Sequence, residues 1–323
     1  MPELPEVETT LRGIAPQLEG KRITTLAVRD RRLRVPVPDG IEKEVEGQRV
    51  RGLRRRGKYL LLDLERGALM IHLGMSGSLR VQAADTPAGA HDHIDLGLDG
   101  GRCLRLRDPR RFGVFLWTPG PAERHILLRH LGPEPLEPGF DGDYLYARSR
   151  DRRAAIKAFI MDAKVVVGVG NIYASESLYA AGIHPSRPCN RVGRDRYQRL
   201  AEAIRQVLTS AIEQGGTTLR DFVQEDGSPG YFAISLKVYG RAGEPCRLCG
   251  QPIRNPVRYP TSRIIRRASS ISRSAYICVT SALAWPKTTW LASRPYFPLV
   301  SVAAEWRRRF GLHVGSSSTS LPC

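Results

Sequence analysis

The first segment of the chain carries apolar residues at helical spacing. Val7, Leu11, Ile14 and Leu18 follow one another at intervals of three or four residues. Such spacing puts the four side chains on one face and predicts an amphipathic helix over residues 5–18. The helix would hold the first residues of the chain against a rigid element.

Between residues 22 and 117 the pattern changes to short runs of β-branched and apolar residues, interrupted by Gly, Asp and Pro. Six runs predict strands, at residues 23–28, 58–64, 69–73, 94–98, 103–106 and 114–117. Short strands separated by turn residues are typical of antiparallel sheets. We therefore expect an antiparallel sandwich or barrel in this part of the chain.

A Pro/Gly-rich stretch at residues 131–139 marks a linker, and the pattern beyond it is helical. The longest apolar stripe runs through residues 197–212 and ends at Gly215-Gly216. The sequence thus predicts an α+β protein with a catalytic β-sandwich domain at 1–130 and a helical domain at 131–224. A flexible loop and a Cys-x-x-Cys turn follow at 225–258, and residues 259–323 form an atypical tail.

The chain is strongly basic, with 50 Lys and Arg against 32 Asp and Glu, a formal net charge of +18. This excess indicates a polyanionic partner, with nucleic acid favoured over a membrane surface. No apolar run approaches the roughly 20 residues of a membrane-spanning helix, and the N-terminus does not resemble a signal peptide. We therefore expect a cytoplasmic protein that has no membrane partner.

The N-terminus offers a candidate nucleophile. Removal of Met1 would leave Pro2 with a secondary amine, and terminal amines have a pKa of about 8 against about 10.4 for lysine. Such an amine can form a Schiff base with an aldehydic carbon. Glu3 beside it and Glu6 one helical turn further on stand where acid/base groups would be needed.

Three further segments carry side chains suited to a nucleic acid. Lys58 begins a strand, where it could hold a phosphate or assist a reaction at a sugar. Met75 lies in a glycine-flanked loop, and Arg110 and Phe112 lie on a turn. An enzyme that takes a base out of the stack needs side chains of these types to fill the vacated space.

A glycine turn at residues 167–170 leads into a predicted helix. Its backbone N–H groups and the amide of Asn171 are suited to binding a phosphate. A dinucleotide site is a poor alternative, because no G-x-G-x-x-G follows a strand in a βαβ unit.

Taken together, these segments resemble bacterial formamidopyrimidine-DNA glycosylase. The family's motifs occur here in the family's order over about residues 2–258: PELPEVET at 2–9, GKY at 57–59, HLGMSG at 72–77, DPRRFG at 108–113, GVGNIYA at 168–174, and YGR at 239–241 leading to Cys249. The resemblance implies a β-sandwich domain, a helix-two-turn-helix domain and a zinc finger, with damaged double-stranded DNA bound between domains by a monomer.

The resemblance also implies roles for individual residues. Pro2 would attack C1′ of the damaged nucleotide, Glu3 would supply acid/base catalysis, and Lys58 would assist at the DNA. Glu6 would hold the N-terminal site. The reaction implied is excision of oxidised purines, such as 8-oxoguanine and formamidopyrimidines, followed by β- and δ-elimination at the abasic site.

DNA contacts follow from the same resemblance. Met75, Arg110 and Phe112 would fill the gap and touch the opposite strand, while His72 would lie near the backbone. Asn171 and the glycines before it would hold phosphate. The loop at residues 225–231 would close over the extruded base.

The chain departs from the family at the zinc finger, which in the family uses two Cys-x-x-Cys pairs. Cys246 and Cys249 supply one pair, and Cys278 is a possible further ligand with Ser281 where its partner would stand. Residues 259–323 hold twelve serines, three of the four tryptophans and a single acid. A reading-frame change after Arg258 is the simplest explanation, and it would leave a half site for zinc.

Two other functions remain open at this point. An endonuclease VIII-like enzyme would prefer oxidised pyrimidines, although that branch usually has glycine where Leu4 stands here. A DNA-binding protein without catalytic activity, inactivated by its altered C-terminus, belongs to a different class. Covalent trapping on damaged DNA would distinguish an enzyme from a binder.

Overall fold

The computed structural model describes residues 2–216 and 235–254. Within these ranges, no helix is both long and apolar enough to cross a bilayer. The described residues belong to one compact unit. The tail from residue 259 and the loop at 225–231 lie outside the described ranges, so the predictions made for them are not addressed by the structure.

The predicted N-terminal helix is present as α1, Leu4–Leu18. Glu3 stands at its N-cap, and Pro5 lies in its first turn, where a missing N–H leaves no hydrogen bond broken. Its apolar face divides between two cores. Leu4 packs in the core of the helical domain, whereas Val7, Ile14 and Leu18 pack in the core of the sandwich.

Two four-stranded antiparallel sheets form the N-terminal domain, with strand orders β1-β6-β7-β5 and β2-β3-β4-β8. The strands are β1 Ile23–Val28, β2 Val50–Arg56, β3 Tyr59–Leu64, β4 Ala68–His72, β5 Ser78–Ala83, β6 Asp92–Leu98, β7 Arg102–Arg107 and β8 Val114–Thr118. A short helix, α2 Ile41–Val45, precedes β2. One apolar cluster, with Leu26, Leu60, Leu62 and Leu104 among its members, joins both sheets and α1. The predicted sandwich is therefore confirmed.

Two strands were missing from the sequence prediction. β2 carries four arginines among its seven residues, so its composition hides a strand that pairs along its length with β3. β5 alternates apolar and polar residues over only six positions. Tertiary pairing, rather than local propensity, determines both elements.

The second domain consists of α3 Gly142–Ser149, α4 Ile156–Met161, α5 Asn171–Ala180 and α6 Arg194–Glu213. The predicted apolar stripe of α6 is buried, including Tyr197, Leu200, Ile204 and Leu208. Helices α3 and α5 pack against α6. The fully buried Tyr173 places α5 at the centre of this core.

Residues 131–139, predicted as a linker, are bound to the sandwich through Glu134. Glu134 is 5% exposed and accepts hydrogen bonds from Arg55, Arg56 and the Gly57 N–H. Separating Glu134 from these arginines would leave a buried charge without a partner, which is strongly destabilising. The contact therefore holds the β2–β3 turn against the start of the helical domain.

Candidate active site

Glu3 is buried beneath the N-terminus of α5. Its Oε2 accepts a hydrogen bond from the Gly170 N–H at 2.7 Å, and its Oε1 accepts one from the Ile172 N–H at 2.9 Å. The Tyr173 N–H lies 3.4 Å from Oε2. A carboxylate is the group that a helix N-terminus binds best, because the free N–H groups and the helix dipole both favour negative charge. The two ends of this contact are 167 residues or more apart in sequence.

Two glycines permit this close approach. A Cβ on Gly170 would lie 2.3 Å from the Glu3 carboxyl carbon, and one on Gly168 would lie 2.5 Å from a methyl carbon of Leu4. The Gly168 carbonyl also accepts the Leu4 N–H at 3.1 Å. The glycine turn was expected to bind phosphate through its N–H groups. That expectation is wrong for Gly170, whose N–H is donated to Glu3.

Glu6 holds the backbone of the same segment. Its Oε2 accepts the Glu3 N–H at 2.8 Å, and its Oε1 accepts the Tyr173 hydroxyl at 2.5 Å. Pro2, Glu3 and Glu6 are all buried. The first residues of the chain are therefore held by Glu6 of α1 together with backbone groups and the Tyr173 hydroxyl of the helical domain.

Burial raises the pKa of Glu3 above its ordinary value, and the nearby Glu6 carboxylate adds to the rise. Lys58 and the N–H groups of Ile172 and Gly170 act in the opposite direction without cancelling it. A carboxyl group with a raised pKa retains a proton closer to neutral pH and can deliver it to a leaving group.

Lys58 lies in the turn between β2 and β3, close enough to influence the pKa of both Glu3 and His72. Gly57 adopts a positive φ of 59°, which suits a glycine in a tight turn. Together with the Glu134 contacts described above, this turn holds Lys58 where its positive charge lowers the pKa of both the Glu3 carboxyl group and the His72 ring.

His72 ends β4, where its ring lies 4.8 Å from that of Tyr59. Its Nδ1 accepts the Gly74 N–H at 2.9 Å, so the neutral ring carries its proton on Nε2. Burial, with the positive charges of Lys58 and Arg34, lowers the pKa of His72 to about 4. His72 is thus a neutral hydrogen-bond donor at physiological pH.

The two loops that carry the predicted gap-filling side chains are packed against each other. A Cβ on Gly74 would lie 2.4 Å from the Phe112 carbonyl carbon, so the backbones touch. Asp108 is fully buried between them. Its Oδ2 accepts the Gly113 N–H at 2.7 Å, and its Oδ1 faces the Ser76 hydroxyl at 3.4 Å.

Within this pair of loops, the Phe112 ring is 43% exposed. The Arg110 guanidinium lies 4.9 Å from its centroid. Met75 is half-buried in the facing loop. Arg111, with φ of 57°, is the one non-glycine residue of the described ranges in left-handed conformation, and it pairs with Asp30 at 3.0 Å. The structure therefore brings Met75, Arg110 and Phe112 together at one surface.

Asn171 begins α5, and its side chain hydrogen-bonds the Tyr239 hydroxyl. Burial raises the pKa of Tyr239, as does the nearby Glu3 carboxylate. Glu176 is 4% exposed and accepts the N–H groups of residues 237, 238 and 239 at 2.8–3.0 Å. Neither Tyr239 nor Glu176 was predicted from the sequence as a site residue. Tyr239 stands in the YGR motif at residues 239–241, whereas no local signal marks Glu176.

Cys246 and Cys249 form a tight turn. The Leu248 N–H points to the Cys246 Sγ at 3.4 Å, and the Gly250 N–H binds the Cys246 carbonyl oxygen. Burial would raise the pKa of Cys246, but hydrogen bonds from Leu248, Tyr179 and Cys249 lower it to about 7. Thiolate character suits a metal ligand.

Nevertheless, the described residues contain no group of three potential ligands. Cys278, the possible further ligand, lies outside the described ranges. The donor set visible here fits half of a tetrahedral zinc site.

Comparison with known proteins gives a consistent result. Residues 1–115 match the family model for the formamidopyrimidine-DNA glycosylase N-terminal domain, and residues 131–223 match the model for its H2TH domain. The formamidopyrimidine-DNA glycosylase of Alkalilimnicola ehrlichii is 60% identical over 260 residues, covering 79% of this chain and 94% of that protein. That of Methylococcus capsulatus is 58% identical over 254 residues, with the same coverage.

Solved structures agree. The MutM (Fpg) protein of Thermus thermophilus superposes with a TM-score of 0.72 at 39% identity, covering 79% of this chain and 94% of that one. Lactococcus lactis Fpg in complex with DNA containing an abasic site gives a TM-score of 0.72 at 31% identity, covering 78% and 93%. With two family models spanning more than half of its residues and relatives near 60% identity, the chain belongs to the formamidopyrimidine-DNA glycosylase family.

Proposed function

We propose that this chain excises its substrate base through the secondary amine of Pro2, with Glu3 as the acid/base group. Family membership makes the chain a DNA glycosylase of base excision repair that removes oxidised purines. The observation that carries the residue assignment is the buried Glu3 carboxyl group, held directly after Pro2 by the N-terminus of α5.

In the proposed reaction, the Pro2 nitrogen attacks C1′ and the glycosidic bond breaks. The base departs with the electron pair of that bond and takes up a proton. The Pro2 nitrogen then loses its own proton, and its lone pair forms the C1′ iminium ion as the C1′–O4′ bond breaks and O4′ leaves with the bonding electrons and is protonated. Removal of a C2′ proton then expels the 3′ phosphate, and a second elimination expels the 5′ phosphate. Glu3, with its raised pKa, is suited to supply a proton and later accept one.

Lys58 and His72 support the DNA backbone in this proposal. Lys58 supplies a positive charge beside Glu3, and His72 offers its Nε2–H as a neutral donor. Asn171 hydrogen-bonds Tyr239, whose pKa is raised by the nearby Glu3 carboxylate, and its amide would contact a phosphate. Contacts of these types with phosphate oxygens position a duplex without reading its sequence.

Met75, Arg110 and Phe112 occupy the space left by the extruded nucleotide. An exposed ring with a guanidinium against it can stack on the neighbouring base and reach the opposite strand. Asp108 would not touch DNA in this proposal. Its buried carboxylate holds the two loops together through Gly113 and Ser76.

Zinc, if bound, would be structural, with Cys246 and Cys249 as two ligands and Cys278 as a candidate third. The enzyme would act as a monomer, because one chain supplies every proposed site residue. It would work in the cytoplasm, on duplex DNA.

Borohydride trapping on a duplex containing 8-oxoguanine tests this function. The chain with Met1 removed should give a covalent complex, because reduction fixes the Schiff base. A form in which mass spectrometry verifies that Met1 is retained should give none while still binding the duplex. Pro5→Ala is the matched control, since the Pro5 nitrogen lies within the chain, and it should trap normally. Binding without trapping in every form would instead establish a non-catalytic DNA-binding protein.

A further inference from the structure

A polar pocket of about 190 Å³ lies on the β1-β6-β7-β5 sheet, and none of the residues that line it belongs to the candidate active site. Its lining residues are Ser78, Arg80, Gln82, Asp92, Arg105 and Arg107. Three arginines and one aspartate give this lining a net charge of +2. The alternating neighbours Leu79, Leu104 and Leu106 pack in the sandwich core, so the pocket occupies the outer face of the sheet.

Strand register explains why positive charge accumulates there. Asp95 of β6 stands opposite Arg105 of β7, which in turn stands opposite Arg80 of β5. One carboxylate thus faces two guanidinium groups in a single cross-strand row. Like charges directly opposite each other destabilise a sheet unless an anion lies between or beside them.

Asp95 cannot compensate Arg80, because it is already paired twice. Its carboxylate accepts Arg105 at 2.7 Å and Arg29 at 2.6 Å. Burial opposes ionisation of Asp95, yet these two guanidinium groups outweigh it and lower the pKa.

Asp92 offers Arg80 no compensation either. It lies 3.5 Å from Arg105 and 3.9 Å from Arg107, and its Oδ2 also accepts the Gly89 N–H at 2.8 Å. Over the described part of the chain, Arg80 forms no ion pair within 4.0 Å. Arg80 therefore lines the pocket with its charge unmatched by the protein.

The Arg105 guanidinium group is already hydrogen-bonded within the protein, so it forms the wall of the pocket and is not free to bind a ligand. It is 5% exposed, and besides Asp95 it donates to the Thr86 and Pro87 carbonyl oxygens at 2.9 and 3.0 Å. Two guanidinium groups remain for an incoming anion: that of Arg80, which has no ion pair among the described residues, and that of Arg107, which is 55% exposed and makes only the 3.9 Å contact with Asp92.

We propose that this pocket binds a phosphate group through Arg80 and Arg107. Guanidinium groups match phosphate oxygens in charge and in hydrogen-bond geometry. Ser78 directly follows the 72–77 loop, and Arg107 directly precedes the 108–113 loop. A duplex bound by those loops would bring backbone phosphates near the pocket. The bound phosphate group would then be a DNA phosphodiester, an assignment that rests on the proposed function. The other candidate ligand is a free phosphate monoester.

Arg80→Gln and Arg107→Gln test the proposal, with Arg66→Gln as the matched control. Arg66 is exposed in the turn between β3 and β4, at the opposite end of β3 from Lys58. Titration with inorganic phosphate, followed by the arginine resonances in NMR spectra, measures the pocket without DNA. Affinity for an 8-oxoguanine duplex, measured between 0.05 and about 0.3 M salt, measures the DNA source.

For a DNA phosphodiester, each pocket variant should make the slope of log affinity against log salt shallower by about 0.9, and weaken binding roughly fivefold to tenfold at about 0.1 M salt. Arg66→Gln should leave both unchanged. Phosphate binding lost in the variants with an unchanged DNA slope would assign the pocket to a free phosphate monoester. The proposal would be overturned if the parent protein bound no phosphate and the variants left the salt slope of DNA binding unchanged.

Borohydride trapping at saturating protein separates this outcome from failure of the proposed function. Both pocket variants should still trap, because Pro2 and Glu3 are untouched. Thermal unfolding of each variant verifies the fold. Should Arg80→Gln fail to fold, Arg107→Gln, whose side chain is 55% exposed, carries the test alone.

Discussion

Glu3 experiences two opposing influences in the folded chain. Burial raises its pKa, whereas Lys58 and the N–H groups of α5 favour its charged form. The raised pKa means that a general-acid step requiring protonated Glu3 should slow as pH increases through that pKa. A pocket that only bound a carboxylate tightly would produce the opposite shift.

Glu3→Gln should reduce base excision at least about 100-fold, because general acid/base catalysis typically contributes a factor of 10² to 10⁴. It should leave part of the cleavage at a preformed abasic site, where no base has to depart. Single-turnover assays on the two substrates measure the difference. Glu19→Gln, an exposed carboxyl group at the other end of α1, is the control and should match the parent. Normal excision by Glu3→Gln would contradict the assignment.

His72 predicts a pH-dependent stability. Its pKa is about 4 in the folded chain against 6.5 for the ordinary group. The unfolded chain therefore binds the proton first as pH falls, so stability present above pH 6.5 is lost between pH 6.5 and 4. The loss approaches about 1.4 kcal/mol per pH unit in that window.

Urea unfolding of the parent and His72→Gln at several pH values checks this sign. The difference in unfolding free energy between the two should shrink as pH falls, by up to about 3 kcal/mol. His130→Gln, a change at an exposed histidine, should leave the parent pH profile intact. A constant difference between parent and His72→Gln from pH 7 to pH 4 would show that His72 is not shifted.

Helix α5 organises the site at the level of secondary structure. Its N-terminus binds Glu3, its Tyr173 hydroxyl binds Glu6, and its Glu176 binds the backbone of residues 237–239. One helix thus positions the N-terminal segment and the segment that carries Tyr239. The glycine turn at residues 167–170 predicts that a helix begins there, but it does not predict what the N-terminus of that helix binds.

Glu176→Gln should loosen residues 237–239 more than the rest of the fold, because a neutral amide accepts hydrogen bonds more weakly than a carboxylate. Amide hydrogen exchange should accelerate at Lys237, Val238 and Tyr239 and remain near parent rates in the β-sandwich. Glu202→Gln, on the exposed face of α6, should change neither region. Uniform acceleration across the chain would indicate general destabilisation instead.

For the whole molecule, the sequence predicted the sandwich, the helical domain and the grouping of the Met75 and Phe112 loops. It missed β2 because four arginines obscure the strand pattern. Three of them are ion-paired in the fold, Arg54 with Asp63 and Glu123, Arg55 with Glu8 and Glu134, and Arg56 with Glu134. The prediction assigned the Gly170 N–H to phosphate, because the true partner, Glu3, is distant in sequence. Contacts between remote segments leave no local periodicity to read.

The tail supports a prediction about the complete chain. With only one Cys-x-x-Cys turn, purified protein should contain well below one zinc per chain. Metal analysis measures this directly. Translation of the gene in its other two frames should reveal a second Cys-x-x-Cys soon after the codon for Arg258. Stoichiometric, tightly held zinc would show that Cys278 or another tail residue completes the site.

The most direct test of the central claim is the identity of the residue that carries the trapped sugar. The borohydride-reduced complex is digested with protease and nuclease, and the modified peptide is sequenced by mass spectrometry. We expect the sugar remnant on the nitrogen of Pro2, in a peptide that begins at that residue. A remnant on Lys58, or on any other lysine side chain, would contradict the central claim.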